Sequence, residues 1–203
     1  MTRRVVIALL TPPVWVPPGV DPHAWRLALA EDVVDLLATL AQVDAAVAVP
    51  VDEREIADAV RWPSTTVYPL ASATPGAALA AAALDGYEQA AVLASDAPDL
   101  PAMMIGKLLR PLSTRAAAAA AATGGGLVGV ACRLPVPDWL ATVDLDVSTV
   151  TELSAAAPRR GSVAAAPGWH RLRGAEDLSS LDPAVEGWDA TRALLTRGQL
   201  ALG

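Results

Sequence analysis

Two aspartates at the end of an apolar run are the residues of this sequence best suited to chemistry. In Ala91–Pro101, AVLASDAPDLP, small apolar side chains stop abruptly at Asp96 and Asp99. A buried strand that ends this way delivers carboxylates to a sheet edge, and ligands of open α/β sheets bind in the crevice outside the carboxyl ends of the strands. An ionised carboxylate leaves water only when it is paired, hydrogen-bonded or coordinated to a metal. Asp96 is therefore expected to project into an open hollow and to take an oxygen-coordinated cation such as Mg2+ or Mn2+, the usual companion of a diphosphate, with Asp99 as a second candidate ligand. The alternative has Asp96 accepting the N–H groups of its own turn while Asp99 caps the next helix.

Other motifs carry less. Gly124, Gly126 and Gly129 spell G-x-G-x-x-G, but a dinucleotide site needs a strand before those glycines and a helix after them, and LVGVACRLP reads as strand. His23 and His170 have no metal-ligand spacing to a partner. Cys132, the single cysteine, lies in the apolar run GLVGVAC and reads as a buried, inert thiol.

The elements that must position Asp96 alternate short apolar runs with longer amphipathic ones, the pattern of a mostly parallel sheet covered by helices. The expected strands are Val5–Leu10, Ala45–Val49, Thr65–Pro69, Ala90–Ala94, Ala116–Ala122, Gly126–Cys132 and an extended piece around Gly168–Leu172. Alanine favours helix, but the run before Gly124 is short and flanked by Pro111 and glycines, so it is read as a strand or a strand and turn. Helices are expected at His23–Ala41 behind the N-cap Asp21, through Val60 behind an Asp52/Glu55 capping box, and from Thr74 to Leu84. Further helices are expected from Pro101 to Leu109, at Thr149–Ala156 behind Ser148, and at Asp189–Arg197. The stretch Ala157–Gly168 has little large apolar content and is expected to be a mobile loop.

Composition limits the partners. The 203 residues fit one α/β domain over 1–203, and no apolar run approaches the roughly 20 residues that cross a bilayer, so a soluble, cytoplasmic chain is expected. Net charge is −7, and the basic residues are scattered rather than gathered in a stripe, which argues against nucleic acid. A homodimer is left open.

The segment ASDAPDLP after an apolar strand resembles the G-S-D-x-P-D-L-P signature of a bacterial family of glycosyltransferase-like proteins with the GT-A, or nucleotide-diphospho-sugar transferase, fold. WRLALAEDVVDLLATL is similar to that family's helix after the nucleotide loop, Gly76 falls where it has a glycine before an alanine-rich helix, and AEDLSSL at Ala175–Leu181 resembles its ending. The resemblance runs from about Val5 to Leu181 and implies a three-layer α/β/α fold with a mostly parallel central sheet. It implies a nucleotide-sugar or nucleotidyl transferase-like protein acting on a nucleotide diphosphate or triphosphate donor and a small acceptor. Asp96 would be the first metal-binding aspartate. Leu10, Thr11, Pro12, Gly76 and Ser95 would flank the nucleotide, and Gly124, Gly125, Trp169 and His170 would border the acceptor.

The departures bear on activity. The loop after strand one, TPPVWVPPGV, has no basic side chain where the family meets phosphates. Thr123–Leu127 replaces D-G-G-Y-Y, and Arg171, Leu172 and Arg173 stand where the family carries D-V-D. Guanidinium groups at Arg171 and Arg173 could neutralise a diphosphate directly and replace the metal. These losses equally suit a catalytically inactive homologue that serves as a binding or assembly module, with Trp15, Trp62 and Trp188 as its exposed aromatic candidates.

Overall fold

Seven strands pair into one sheet in the order β3-β2-β1-β4-β6-β5-β7. They are β1 (Arg4–Leu9), β2 (Asp44–Pro50), β3 (Thr66–Leu70), β4 (Gln89–Ala94), β5 (Ala117–Ala122), β6 (Leu127–Arg133) and β7 (Val163–Trp169). The computed structural model describes residues 2–201. All pairings are parallel except those of β6, which runs antiparallel to both β4 and β5. The helices are α1 (Pro22–Ala38), α2 (Arg54–Val60), α3 (Pro75–Leu84), α4 (Ala102–Leu109), α5 (Val150–Ala156) and α6 (Asp189–Ala201).

Strand alternation builds two cores. Val6, Ala8 and Leu93 face the layer of α1, α2 and α4, packing with Val33, Ile56, Ile105 and Leu108. Val5, Ile7 and Val92 face the other way, onto Leu79 of α3 and Leu153 of α5. Both faces of the central strands are covered, as parallel sheets require, and the architecture is the expected three-layer α/β/α sandwich. Among the described residues no helix is long and apolar enough to cross a membrane.

Most helix starts follow their local chemistry. Asp21 accepts the Ala24 N–H at 2.8 Å, and Thr74 accepts the Ala77 N–H at 3.2 Å, each before a proline in the first turn. Two expected caps are corrected. Glu53, not Asp52, precedes α2 and makes no side-chain cap, because a 3-10 turn over Val51–Glu53 takes that place. Thr149, not Ser148, caps α5, in a reciprocal box with Glu152.

A larger correction concerns Ala157–Gly168, expected to be a mobile loop. Residues Val163–Trp169 are an edge strand parallel to β5, so the extended piece begins earlier than expected and ends at Trp169. The backbone ladder, rather than side-chain burial, holds it. That is why a sequence of small residues concealed it, and Pro167 is tolerated on such an edge. The six alanines Ala117–Ala122 do form a strand against their helix propensity, since β6 and β7 flank them on both sides. Trp188 is 5% exposed and lies under the Arg192 guanidinium, so of the three tryptophans expected at the surface Trp62 is the open one, at 50%.

Asp32 of α1 is buried and accepts the N–H groups of Ala190 at 3.0 Å and Thr191 at 2.8 Å, tying α6 to α1. Burial, opposed by these hydrogen bonds, pushes its carboxyl from 3.8 up to about 6. A native state that holds this proton more tightly than the unfolded chain gains stability as pH falls. The contribution is complete below pH 4 and lost as pH rises through 6. Denaturant unfolding should therefore show a gain of about 1–2 kcal/mol between pH 6.5 and pH 4 relative to Asp32→Asn. The same profile in both proteins would contradict this.

Candidate functional site

The strand order reverses between β1 and β4, whose tips, Leu9 and Ala94, open onto a crevice of about 170 Å3. Thr11 and Pro12 from the loop after β1, Thr74 and Pro75 from the start of α3, and Asp146 and Arg171 line it. This is the switch-point position at which α/β folds bind ligands. A larger cavity, about 780 Å3, lies on α1 and the starts of α4 and α6. Its rim carries Glu31, Asp35, Glu186 and Asp189 against a single Arg192, a surround that repels phosphate, so the smaller crevice is the better candidate.

Asp96 sits just past β4 at 5% exposure, and it neither faces an open hollow nor stitches its own turn. Its carboxylate meets Arg171 in a bidentate pair, Nε to Oδ1 at 2.6 Å and Nη2 to Oδ2 at 3.0 Å. Arg171 is placed there because the N–H of Leu172 donates to the Asp96 carbonyl at 2.8 Å, while Leu172 itself is buried against Trp25 and Leu29. The remaining donors are also engaged. Nη1 reaches the carbonyls of Leu127 at 3.2 Å and Leu145 at 3.0 Å, and Nη2 lies 2.7 Å from Oδ1 of Asp146. Of the five N–H groups of a guanidinium, four are thus hydrogen-bonded, and the ion pair with Asp146 adds a second anion at Nη2.

Burial is the largest influence on Asp96 and raises its carboxyl, opposed by the two hydrogen bonds from Arg171. Burial also works against the Arg171 charge, but the carboxylates of Asp96 and Asp146 outweigh it and raise that guanidinium above its ordinary value. A fork at 2.6 and 3.0 Å is the geometry of an ionised pair, so both groups are charged.

Asp99 is elsewhere. At 1% exposure it accepts the indole N–H of Trp169 at 3.1 Å, and it does not cap α4, whose N-cap is Pro101 without a side-chain bond. Nε2 of His170 approaches Asp99 Oδ1 to 2.8 Å, close enough for an ion pair but out of line for a hydrogen bond, and stacks on Trp169 with ring centroids 5.0 Å apart. Trp169 and His170 thus turn inward toward Asp99.

The other expected site residues are partly gathered. Thr11 and Pro12 line the crevice. Leu10 is a core side chain at 1% exposure, so only its backbone faces the loop, and Ser95 is buried beside Asp96. Gly76 is also buried, its hydrogen side pressed on the Ala141 backbone. Gly124 and Gly125, both at positive φ, form an exposed turn whose Thr123 and Gly125 carbonyls accept from Arg173 Nη2 at 3.2 and 2.6 Å.

Two residues of the site were not anticipated. Asp146 belongs to a D-x-D spelling, Asp144-Leu145-Asp146, that is visible in the sequence. Arg26 reaches back from α1 to the Leu10 carbonyl at 2.9 Å and pairs with Glu53, so a cation does stand beside the loop that lacks one of its own.

Asp96 and Asp99 do not converge on one cation position at the strand tip. Both oxygens of Asp96 are taken by Arg171, Asp99 points away, and among the described residues no three His, Cys, Asp or Glu side chains converge. The position between Asp96 and Asp146 that could attract a cation is filled by the guanidinium.

The sequence matches no protein-family model and no curated protein. Solved structures do resemble the fold. A candidate nucleotide-diphospho-sugar transferase from Desulfovibrio desulfuricans G20 superposes with a TM-score of 0.65 at 19% identity, over 98% of this chain and 99% of that one. The 4-diphosphocytidyl-2C-methyl-D-erythritol synthase of Anaerococcus prevotii DSM 20548 gives 0.60 at 12%, over 96% of each chain. Glucosyl-3-phosphoglycerate synthase of Mycobacterium tuberculosis, in complex with Mn2+, UDP-glucose and phosphoglyceric acid, gives 0.51 at 17%, over 97% of this chain and 79% of that one.

Proposed function

On the nucleotide-diphospho-sugar transferase fold, which this chain adopts, we propose a transferase-like protein that binds a nucleotide diphosphate or triphosphate donor with a built-in cation, Arg171, in place of a divalent metal. The observation that carries this reading is the bidentate Arg171–Asp96 pair at the tip of β4, with Arg171 and its second partner Asp146 both lining the crevice. The crevice lies at the switch point, and structures of this fold are known with a nucleotide sugar bound. Asp146, its side chain 52% exposed, holds the crevice side of Arg171. A donor phosphate oxygen that displaced it would keep Nη2 satisfied while Asp96 continued to fix the guanidinium. Arg173, beside the Gly124–Gly125 turn, has no partner for Nε or Nη1 among the described residues and would meet the charge that develops on a leaving phosphate. Thr11 and Pro12 would border the nucleotide.

Thermal shift with uridine, guanosine, cytidine and thymidine diphosphates tests this, because a ligand bound only by the native state raises the melting temperature. At least one nucleotide should stabilise the protein equally in EDTA and in Mn2+. Asp146→Asn removes the competing anion, which is the half-exposed member of its pair with Arg171, and should tighten binding about two- to fivefold. A shift that requires Mn2+ and is lost in Asp96→Ala would overturn the metal-free reading.

The volume of the crevice favours a second reading. About 170 Å3 is below the roughly 300–1,000 Å3 of ordinary ligand sites, which suits an inactive homologue acting as a binding or assembly module. No shift with any of the four nucleotides would select it.

A further inference from the structure

At the opposite end of the sheet, where β6 ends and β5 and β7 begin, lies a separate cleft of about 420 Å3. Its lining includes Arg115, Arg133, Arg159 and Arg160, and no acidic residue. In a chain of net charge −7 this is a local inversion of sign.

Two of the guanidinium groups are fixed in place by neutral acceptors. Arg115 Nη1 donates to the Gly161 carbonyl at 2.7 Å, and Arg133 donates through Nε and Nη2 to the Leu112 and Ser113 carbonyls, each at 2.6 Å. Carbonyls orient a guanidinium without cancelling its charge. The other two, Arg159 and Arg160, are exposed on the turn before β7, and among the described residues their side chains have no hydrogen bond or ion pair. Four like charges at one hollow repel each other, and an anion between them relieves that repulsion.

We propose that this cleft binds a small, multiply charged phosphate compound. The planar guanidinium fork matches phosphate oxygens in bidentate fashion, and Arg115 and Arg133 are already oriented for it. The volume falls in the range of small-molecule sites. A polynucleotide would instead need basic residues spread along a track, whereas these gather in one hollow. Arg115 and Arg133 supply a preset floor, and Arg159 and Arg160 supply two further cations that settle on the bound anion.

Calorimetric titration with inorganic pyrophosphate at physiological salt tests the site. A saturable binding event is expected at this cleft, beside any at the nucleotide crevice, and it should weaken about tenfold or more in the Arg159→Ala/Arg160→Ala double variant, since each loses a charge-assisted contact. That variant should keep the wild-type melting temperature, because neither side chain supports the fold. Any pyrophosphate taken up at the nucleotide crevice should survive that double substitution, so the outcome is separable from the function proposed above. Pyrophosphate binding that is absent or indifferent to the double substitution would overturn the proposal. So would tighter binding of a single-stranded oligonucleotide to the same arginines.

Discussion

Replacing Arg171 with methionine should lower the unfolding free energy by about 3–5 kcal/mol, because it strands a buried carboxylate that has no other side-chain partner among the described residues. Asp96 is 5% exposed, and the Leu127 and Leu145 carbonyls lose a donor at the same time. The loss should shrink as pH is lowered from 7 to 5. Without Arg171 the buried Asp96 takes up a proton more readily, and the neutral acid is cheaper to bury than the anion. Arg171→Lys should recover part of the stability, as a single ammonium keeps the charge but cannot span both oxygens. Urea unfolding at the two pH values reads all three effects. A change within about 0.5 kcal/mol at pH 7, the usual result for a solvated surface side chain, would show that the pair contributes little.

The second large effect is expected at Gly76. A Cβ built there falls inside the van der Waals surface of the Ala141 carbonyl oxygen and 2.9 Å from its carbon. The obstacle is backbone of another segment, so no rotamer change relieves it. Gly76→Val should cost about 3 kcal/mol or more, at or beyond the usual range for overpacking. The strain has a functional direction. Ala141 leads into Leu145 and Asp146, whose carbonyl and carboxylate hold Arg171, so pushing that segment outward should also weaken nucleotide binding. Gly106→Ala is the control. It is exposed inside α4 with nothing within 4 Å of its Cβ, and there the gain in helix propensity should stabilise by up to about 1 kcal/mol. Equal melting temperatures for Gly76→Val and wild type would contradict the packing argument.

The sequence exposed the frame of this site more readily than its wiring. The apolar run before Asp96, Asp21 ahead of Pro22, and Thr74 ahead of Pro75 are local signals, and each element begins where its chemistry says it should. The alanine strand β5 was legible from its flanks, since proline and glycines leave too little room for a stable helix. β7 was not, because an edge strand of small residues is held by a backbone ladder with a partner some 46 positions away, Ala117 with Val163.

The pairing of Asp96 with Arg171 spans 75 positions and depends on Leu172 docking against Trp25, which no local pattern encodes. One hint was available. Where an aspartate remains at a strand tip and an arginine stands at a position the resembled family fills with acid, mutual neutralisation is the simplest outcome. Asp144-Leu145-Asp146 offered a second, since two acids two apart in a loop need a cation near them. Arg26 could not be found this way, because it serves the first loop from the following helix.

A guanidinium fills the cation position between Asp96 and Asp146. Manganese titration of the protein alone, followed by electron paramagnetic resonance, examines that position without the complication of a metal-bound nucleotide. With Arg171 in place the free Mn2+ signal should fall no more than in a protein-free control at sub-millimolar concentrations. Stoichiometric loss of that signal, abolished by Asp96→Ala, would mean that the ion displaces the arginine.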